Sequence, residues 1–426
     1  MVRRPCIAIV SPFLDKRHGT ERCVAEQAER LARDHGFDVH LFAQRVEDLP
    51  AARPFAGKSH ARDAASSANL AMASGELAWH RVPNLPGPQL LKYVWWFAAN
   101  HVCRWVSRHK GVPYDLLYSP GINCLDADLI SVHIVFAEFV RQVRRELEFR
   151  HNPPRVWLRL AHRRLYYRFL ILLEGWIYGR SNQQLVVVSK KVAEDLRRFY
   201  GRKEDFPLIY HGLDLERFHP QRRMGLREES RRALGLMPED LVVLLVGNDF
   251  LKKGLRYLLE ALARIRRERA KLIVVGEDEA SPFHERIRSL GLEGRVFFMP
   301  IRPDVEFYYA AADVYAGPSL EDAFALPPAE AMACGLPVIV SRRAGVSEII
   351  TRGADGFVLE DPTDVATLAQ FIERLLGEPE LRAAMGRAAA RTAQKYTWDQ
   401  NVAEMKRCIL ETIAARDPAR SVEQFG

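Results

Sequence analysis

Two short stretches carry residue types that could do chemistry together. The first, PSLEDAFALPPAEAMACGLPVIVS from Pro318 to Ser341, places Asp322 and Glu330 on either side of an apolar loop that holds Pro327 and Pro328. An ionised carboxylate only accepts hydrogen bonds, so one acid of such a pair could hold a vicinal diol, as a ribose offers, while the other meets a second polyol. The small side chains of Ala323 and Ala325 would let loop amides come close to that ligand. Each acid also has a plainer reading. Glu330 falls where a helix dipole favours a carboxylate, and Asp322 could be an ordinary turn residue. The second stretch, LVVLLVGNDFLKKGLRYLLEAL, leaves a strand at Gly247 and enters a helix after Gly254, with Lys252 and Lys253 just ahead of the helix start. Cations beside the unpaired N–H groups of a helix N-terminus make an anion site, although adjacent lysines are also common as solvated turn residues. Phosphate cations and a diol-binding acid on one rim would describe a nucleotide-sugar pocket.

For those side chains to share a rim, both stretches must leave strands of one sheet. The periodicity predicts this. CIAIVSPF, DVHLFAQ, DLLYSP, LISVHIVF and LVVVSKK are β-rich apolar runs, separated in several places by helical patterns such as GTERCVAEQAERLARDHG with its glycine stop. After the polar connection HGLDLERFHPQRR the alternation restarts with LVVLLVGND, KLIVVGED, RVFFMP, DVYAGPS and LPVIVS. Strands alternating with helices predict parallel sheets wrapped by helices, hence an α/β protein of two Rossmann-like domains facing a cleft. The domains are read as 1–206 and 207–391. A helix within 392–426 is expected to cross back to the first of them. In open α/β sheets ligands bind beyond the carboxyl ends of the strands, where both stretches lie. Residues 50–75 read as a loose surface loop.

Composition agrees with this and excludes other classes. A chain of 426 residues, 48% hydrophobic and 27% charged, is ordinary globular material with room for two cores. The opening MVRRPCIAIVSPF reads as a first strand and not a signal peptide, and no run of about eighteen apolar residues suggests a membrane span. Six cysteines are scattered without a Cys-x-x-Cys pair, so neither a disulfide framework nor a zinc site is suggested, and a reducing cytoplasm is the expected compartment. A formal charge of +8 and a pI near 9.2 invite an anionic partner. The densest basic run spans 141–168, where Arg144, Arg145, Arg150, Arg155, Arg159, Arg163 and Arg164 alternate with Trp157, Tyr166 and Tyr167. This is either a solvated helix or an interfacial segment whose arginines meet anionic head groups, at roughly 1 kcal/mol per well-placed cation, while its aromatic rings enter the interface. No nucleic-acid motif accompanies it, and no nucleic-acid partner is expected.

The motifs taken together resemble retaining glycosyltransferase family 4, and within it the lipopolysaccharide core glucosyltransferase I group. EDAFALPPAEAMACGLPVI is similar to the family's E-G-F-G-L-P-x-x-E-A-M-A-x-G-x-P-V, and VGNDFLKKG to its phosphate turn G-S-D-F-x-R-K-G. HGTERCVAEQAERLARDHGFDVHLFA resembles the acceptor-domain loop and first helix, and HGLDLERF the N-G-V-D-x-x-x-F link. The resemblance implies the GT-B fold and assigns roles. Glu330 would hold the ribose hydroxyls. Asp322 would meet the donor sugar, here as Asp in place of Glu and beside Glu321. Ala323, Phe324, Ala325 and Leu326 would offer the backbone that touches sugar and phosphate, with alanine at both usual glycines. Lys252 and Lys253 would take the diphosphate, and Gly19 would match the loop glycine near the donor phosphate. His133 would hydrogen-bond the donor sugar as the third catalytic-site residue, although a buried, structurally bonded histidine would read the same way.

Transfer of a hexose such as glucose is implied, from a nucleotide-diphosphate donor, UDP-linked by preference, to a lipopolysaccharide core or other glycolipid or glycan. No metal or cofactor is expected. The Asp-x-Asp at Asp126 and Asp128 reads as a turn or helix start and not a metal motif. The resemblance also supports the interfacial reading of 141–168, placing the enzyme peripherally on the inner face of the cytoplasmic membrane. A sugar-nucleotide epimerase or hydrolase and a silent nucleotide-sugar-binding module are the alternatives.

Overall fold

In the computed structural model, which describes residues 4–17, 19–55, 75–112, 114–144, 148, 157–180 and 182–416, the chain divides into two compact units. The first comprises residues up to Val188, Val192–Ile209 and the chain from Trp398 onward; the second comprises Ser189–Lys191 and Tyr210–Thr397.

In the first unit, strands β1 (Cys6–Val10), β2 (Phe13–Leu14), β3 (Asp38–Ala43), β4 (Arg45–Val46), β5 (Arg53–Pro54), β6 (Leu77–Arg81), β7 (Leu116–Pro120), β8 (Leu129–Val132) and β9 (Gln184–Val187) alternate with helices α1 (Gly19–His35), α2 (Gln89–His109), α3 (Phe136–Gln142), α4 (Trp157–Tyr178) and α5 (Lys190–Tyr200). Seven of the strands form a sheet in the order β5-β6-β3-β1-β7-β8-β9, and every pairing in it is parallel. Helices cover both faces of such a sheet, which is why β1 (CIAIV) and β8 (LISV) are buried along their whole length and do not alternate.

The second unit runs through α6 (Pro220–Ala233), β10 (Leu241–Val246), α7 (Leu255–Arg264), β11 (Ala270–Val275), α8 (Ser281–Ser289), β12 (Val296–Met299), α9 (Glu306–Ala311), β13 (Val314–Gly317), α10 (Leu326–Ala333), β14 (Val338–Ser341), β15 (Gly356–Leu359), α11 (Val365–Gly377) and α12 (Pro379–Ala393). Its sheet, ordered β12-β11-β10-β13-β14-β15, is also parallel throughout. The order reverses direction at β10 and β13, and in a doubly wound sheet this is where ligands bind. The Lys252–Lys253 turn follows β10 and the acidic loop follows β13, so both stretches read as chemical from the sequence leave adjacent strands at that point.

The last helix, α13 (Trp398–Arg416), returns to the first unit. Val402, Met405, Ile409 and Ile413 join Val24, Ala28 and Leu31 of α1 in one buried cluster. At its polar start, the Arg30 guanidinium meets Asp399, and Gln27 Nε2 donates to Asn401 Oδ1 at 2.9 Å. Of the loop read at 50–75, residues 56–74 lie outside the described part of the chain.

Candidate functional site

The turn after β10 is built by glycine and by the backbone. Gly247 has φ +140, and a Cβ there would stand 2.8 Å from Lys253 Cε, so the lysine side chain lies directly over the strand end. Asp249, also at positive φ, accepts Lys252 N–H on its side chain at 3.2 Å and Lys253 N–H on its carbonyl at 2.9 Å. Asn248 Oδ1 accepts Glu277 N–H at 2.8 Å, which ties the turn to the end of β11. Gly254 then caps α7 in a left-handed conformation, φ 77; any side chain would collide with Pro318 O, 2.1 Å from the position of its Cβ.

That collision point shows how closely the two stretches meet. Leu320 N–H donates to Lys252 O at 2.7 Å, and Lys253 Nζ reaches Asp322 Oδ2 at 2.5 Å. Burial alone would raise the Asp322 carboxyl, but Lys253, Lys252 and Lys191 together hold it below its ordinary value. It is therefore an ionised group within a basic cluster. The neighbouring Glu321 is buried and pairs with Lys191 Nζ at 2.5 Å. The adjacent acids thus belong to different lysines, 69 and 130 residues away in sequence.

The loop is fixed from behind. Asp322 N–H donates to Arg343 O, while Asp322 O and Phe324 O accept from Gly345 N–H and Val346 N–H at 3.1 and 2.7 Å. Glu348, in the same segment, receives the backbone N–H groups of Lys190 and Lys191, each at 2.8 Å, and the Tyr210 hydroxyl at 3.0 Å. Phe324 is buried, with its ring 5.1 Å from that of His211. Ala325, where the family pattern has glycine, takes φ 71 and ψ 94 immediately before α10. Leu326, Pro327 and Pro328 open that helix, and Glu330 lies buried within it, its Oε2 accepting the Tyr309 hydroxyl at 2.8 Å. The second unit therefore brings Lys252, Lys253, Asp322, Ala323, Phe324, Ala325, Leu326 and Glu330 onto two neighbouring strand ends of one sheet.

Gly19 and His133 belong to the first unit. Gly19 is the first residue of α1. His133 follows β8, is buried, and shares a hydrogen bond with Ser131 Oγ at 2.9 Å from its Nε2. The row continues inward. Ser131 Oγ meets the Tyr118 hydroxyl at 2.7 Å, Tyr118 donates to Gln27 Oε1 at 2.9 Å, and Gln27 reaches Asn401 of α13. Three residues beyond His133, Glu174 of α4 accepts the N–H groups of Phe136 and Ala137 at 2.8 and 3.2 Å and the Tyr200 hydroxyl at 2.5 Å. Burial pushes the Glu174 carboxyl up to about 7 against those three donors.

The Asp-x-Asp pair is occupied by framework contacts. Asp126 takes a bidentate ion pair from Arg104 at 2.7 and 2.8 Å, and Asp128 accepts Leu117 N–H at 2.8 Å and pairs with Arg416. Within the basic run, Arg145, Arg150 and Arg155 lie outside the described residues. The expectation that Tyr166 and Tyr167 enter an interface needs correcting. Their rings pack edge-on to Tyr93 at 6.1 Å and Phe139 at 5.4 Å, because α4 lies against α2 and α3. The exposed apolar side chains of α4 are instead Trp157, Leu158, Leu165, Leu172 and Trp176. Sequence reasoning also missed Lys191, Tyr309 and Glu348, whose partners are far away along the chain.

Comparison with known proteins identifies the pattern. Residues 17–217 match the family described as Glycosyltransferase Family 4, and residues 227–392 that described as Glycosyl transferases group 1. Spore coat protein SA of Bacillus subtilis is 30% identical over 269 residues, covering 59% of this chain and 71% of that protein. Lipopolysaccharide glucosyltransferase WaaG of Escherichia coli is 28% identical over 233 residues, covering 53% of this chain and 62% of WaaG. A WaaG crystal structure superposes with a TM-score of 0.74 at 21% identity, covering 95% of this chain and 99% of that one. Anabaena HepE in complex with UDP and glucose superposes with a TM-score of 0.65 at 19% identity, covering 95% and 99% of the two chains.

Proposed function

The chain belongs to the group 1 glycosyltransferases of GT-B fold, related to the WaaG group, and from that premise we propose that it transfers a hexose, glucose by preference, from a UDP-linked donor to a lipopolysaccharide core or related glycolipid, with retention of configuration and without a metal. The observation that carries the reading is the convergence of Lys252, Lys253, Asp322 and Glu330 at the strand ends of β10 and β13. HepE, described as bound to UDP and glucose, shares the fold, and WaaG, a lipopolysaccharide glucosyltransferase by name, supports the choice of sugar and acceptor.

The chemistry follows from the charges. The sugar–phosphate bond breaks as the anomeric carbon bonds the acceptor oxygen on the same face, and the acceptor proton passes to the departing phosphate oxygen. Negative charge grows on the diphosphate, where Lys252, Lys253 and the N-terminal amides of α7 would stabilise it. Lys253 must then exchange Asp322 for phosphate, which leaves the Asp322 carboxylate available to a sugar hydroxyl. Glu330 would hold the ribose diol. We assign His133 a hydrogen bond to the donor sugar, and Gly19 close backbone approach to the donor phosphate, on motif resemblance alone. The exposed Trp157, Leu158 and Trp176 with the arginines of α4 support peripheral attachment to an anionic membrane, taken as the inner face of the cytoplasmic membrane. No helix among the described residues is long and apolar enough to cross one.

The test is transfer from labelled UDP, GDP and ADP sugars to an extracted membrane glycolipid fraction, with EDTA present and a control lacking acceptor. Labelled lipid is the expected product, with retained anomeric configuration; rapid donor loss without acceptor would replace transfer by epimerisation or hydrolysis. Glu330→Ala should reduce turnover by at least about 100-fold with the fold intact, and full activity would remove the acid from the site. Lys252→Ala with Lys253→Ala should weaken nucleotide binding by about 10- to 100-fold, as read by calorimetry.

A further inference from the structure

We propose that Tyr309 is a positioning residue for the donor site, setting the orientation of the Glu330 carboxylate toward the ribose diol; the inference rests on the ribose role given to Glu330 above. Tyr309 is fully buried on α9, and its hydroxyl stands 2.8 Å from Glu330 Oε2 and 3.1 Å from Pro327 O. A phenol has one proton to give, and the charged acceptor makes the stronger bond, so the proton goes to Glu330. Burial, and then the Glu330 charge, hold the tyrosine hydroxyl well above its usual range, so it remains a donor. The bond to Oε2 restrains the carboxyl group about its last torsion, which is otherwise broad, and a carboxylate oxygen that accepts one hydrogen bond can still accept another.

The tyrosine is itself held in place. Helix α9 has only six residues, and the carbonyls of its last turn have no intrahelical partners of their own. Arginines one turn apart on α6 satisfy them. Arg223 reaches Tyr309 O and Ala312 O at 3.3 and 2.9 Å, Arg227 reaches Ala310 O and Ala312 O at 3.2 and 2.9 Å, and Arg231 reaches Ala311 O at 3.1 Å. At the other end of α9, Glu306 is gripped by Arg217 and Arg222 at 2.6 and 3.0 Å. The Tyr309 ring meets Phe218 edge-on at 5.8 Å. A short helix clamped at both ends thus presents one hydroxyl to one carboxylate. A merely structural tyrosine would need the ring packing but not the oxygen.

The experiment measures the affinity of the whole chain for whichever of UDP, GDP and ADP binds best, and for its 2′,3′-dideoxy analogue, in wild type, Tyr309→Phe and Glu330→Gln. Wild type should favour the ribose form by at least about tenfold. Both variants should lose most of that preference by weakening ribose-nucleotide binding while dideoxy binding stays within about twofold. Retained preference in Tyr309→Phe with loss in Glu330→Gln would overturn the positioning role and leave the Glu330 reading intact. Retained preference in both, or no nucleotide binding by wild type, would overturn the ribose reading itself. Equal weakening of both nucleotides by Tyr309→Phe would make its role structural. If Tyr309→Phe does not fold, the double variant carries no carboxylate to strand. It should match Glu330→Gln alone, and any further selective loss on the ribose form would count against the proposal.

Discussion

At the scale of single residues, the acidic loop departs from its family pattern where the backbone makes the departure costly. Ala325 occupies a positive-φ position that its relatives' motif fills with glycine, and a Cβ is disfavoured there. Ala325→Gly should stabilise the protein by about 0.5–1 kcal/mol, the relief of strain being partly offset by the greater entropy of an unfolded glycine. Urea unfolding would read the gain, and an unchanged midpoint would show that the loop carries no strain. The placement of Asp322 and Glu330 was legible because their surroundings are local: a strand end, two prolines and a helix. The partner of each was not legible. Lys253 reaches Asp322 because β10 pairs with β13, and Tyr309 reaches Glu330 from α9, and no periodicity reports a contact between side chains that distant in sequence.

Among the secondary-structure elements, the inner strands of both sheets were legible, since parallel strands covered on both faces are unbroken apolar runs, whereas β6 and β15 and the two-residue strands were not read. The arginines of α6 were less legible. Three of them are spent on the carbonyls of α9, a use that composition cannot announce. The start of α3 is held similarly, by the buried Glu174. Its carboxyl is raised to about 7 from an ordinary 4.5, so the folded chain holds the proton more tightly than the unfolded one. The resulting stability is complete below about pH 4.5 and is lost as pH rises toward 7. Relative to Glu174→Gln, wild type should lose about 2–3 kcal/mol across that window in urea titrations. A difference independent of pH would mean that the three donors offset burial and leave the carboxyl at its unfolded pKa.

Over the whole molecule, the formal charge of +8 is spread unevenly, and α2 and α4 together contain a single acid, the buried Glu174. Binding to phosphatidylglycerol vesicles should therefore fall steeply with salt, being lost by about 0.5 M, where the Debye length has shrunk to a few ångströms. Arg159→Gln, Arg163→Gln and Arg168→Gln together should abolish it at low salt; sedimentation that ignores both salt and charge would leave only apolar insertion. The row that runs from Asn401 through Gln27, Tyr118 and Ser131 to His133 has a further property, which is direction. Each hydroxyl along it has one hydrogen to pass on. With Tyr118 giving its hydrogen to Gln27, Ser131 must give its own to Tyr118, and so must receive one from His133 Nε2. With the amides in this orientation, the row calls for an N–H at His133 Nε2 facing Ser131 Oγ. Turning over the two amides at the far end would reverse every link, so that His133 Nε2 would accept from Ser131 instead. Whether a ring nitrogen at one end of a strand gives or takes a hydrogen is in this way tied to an asparagine on the last helix of the chain.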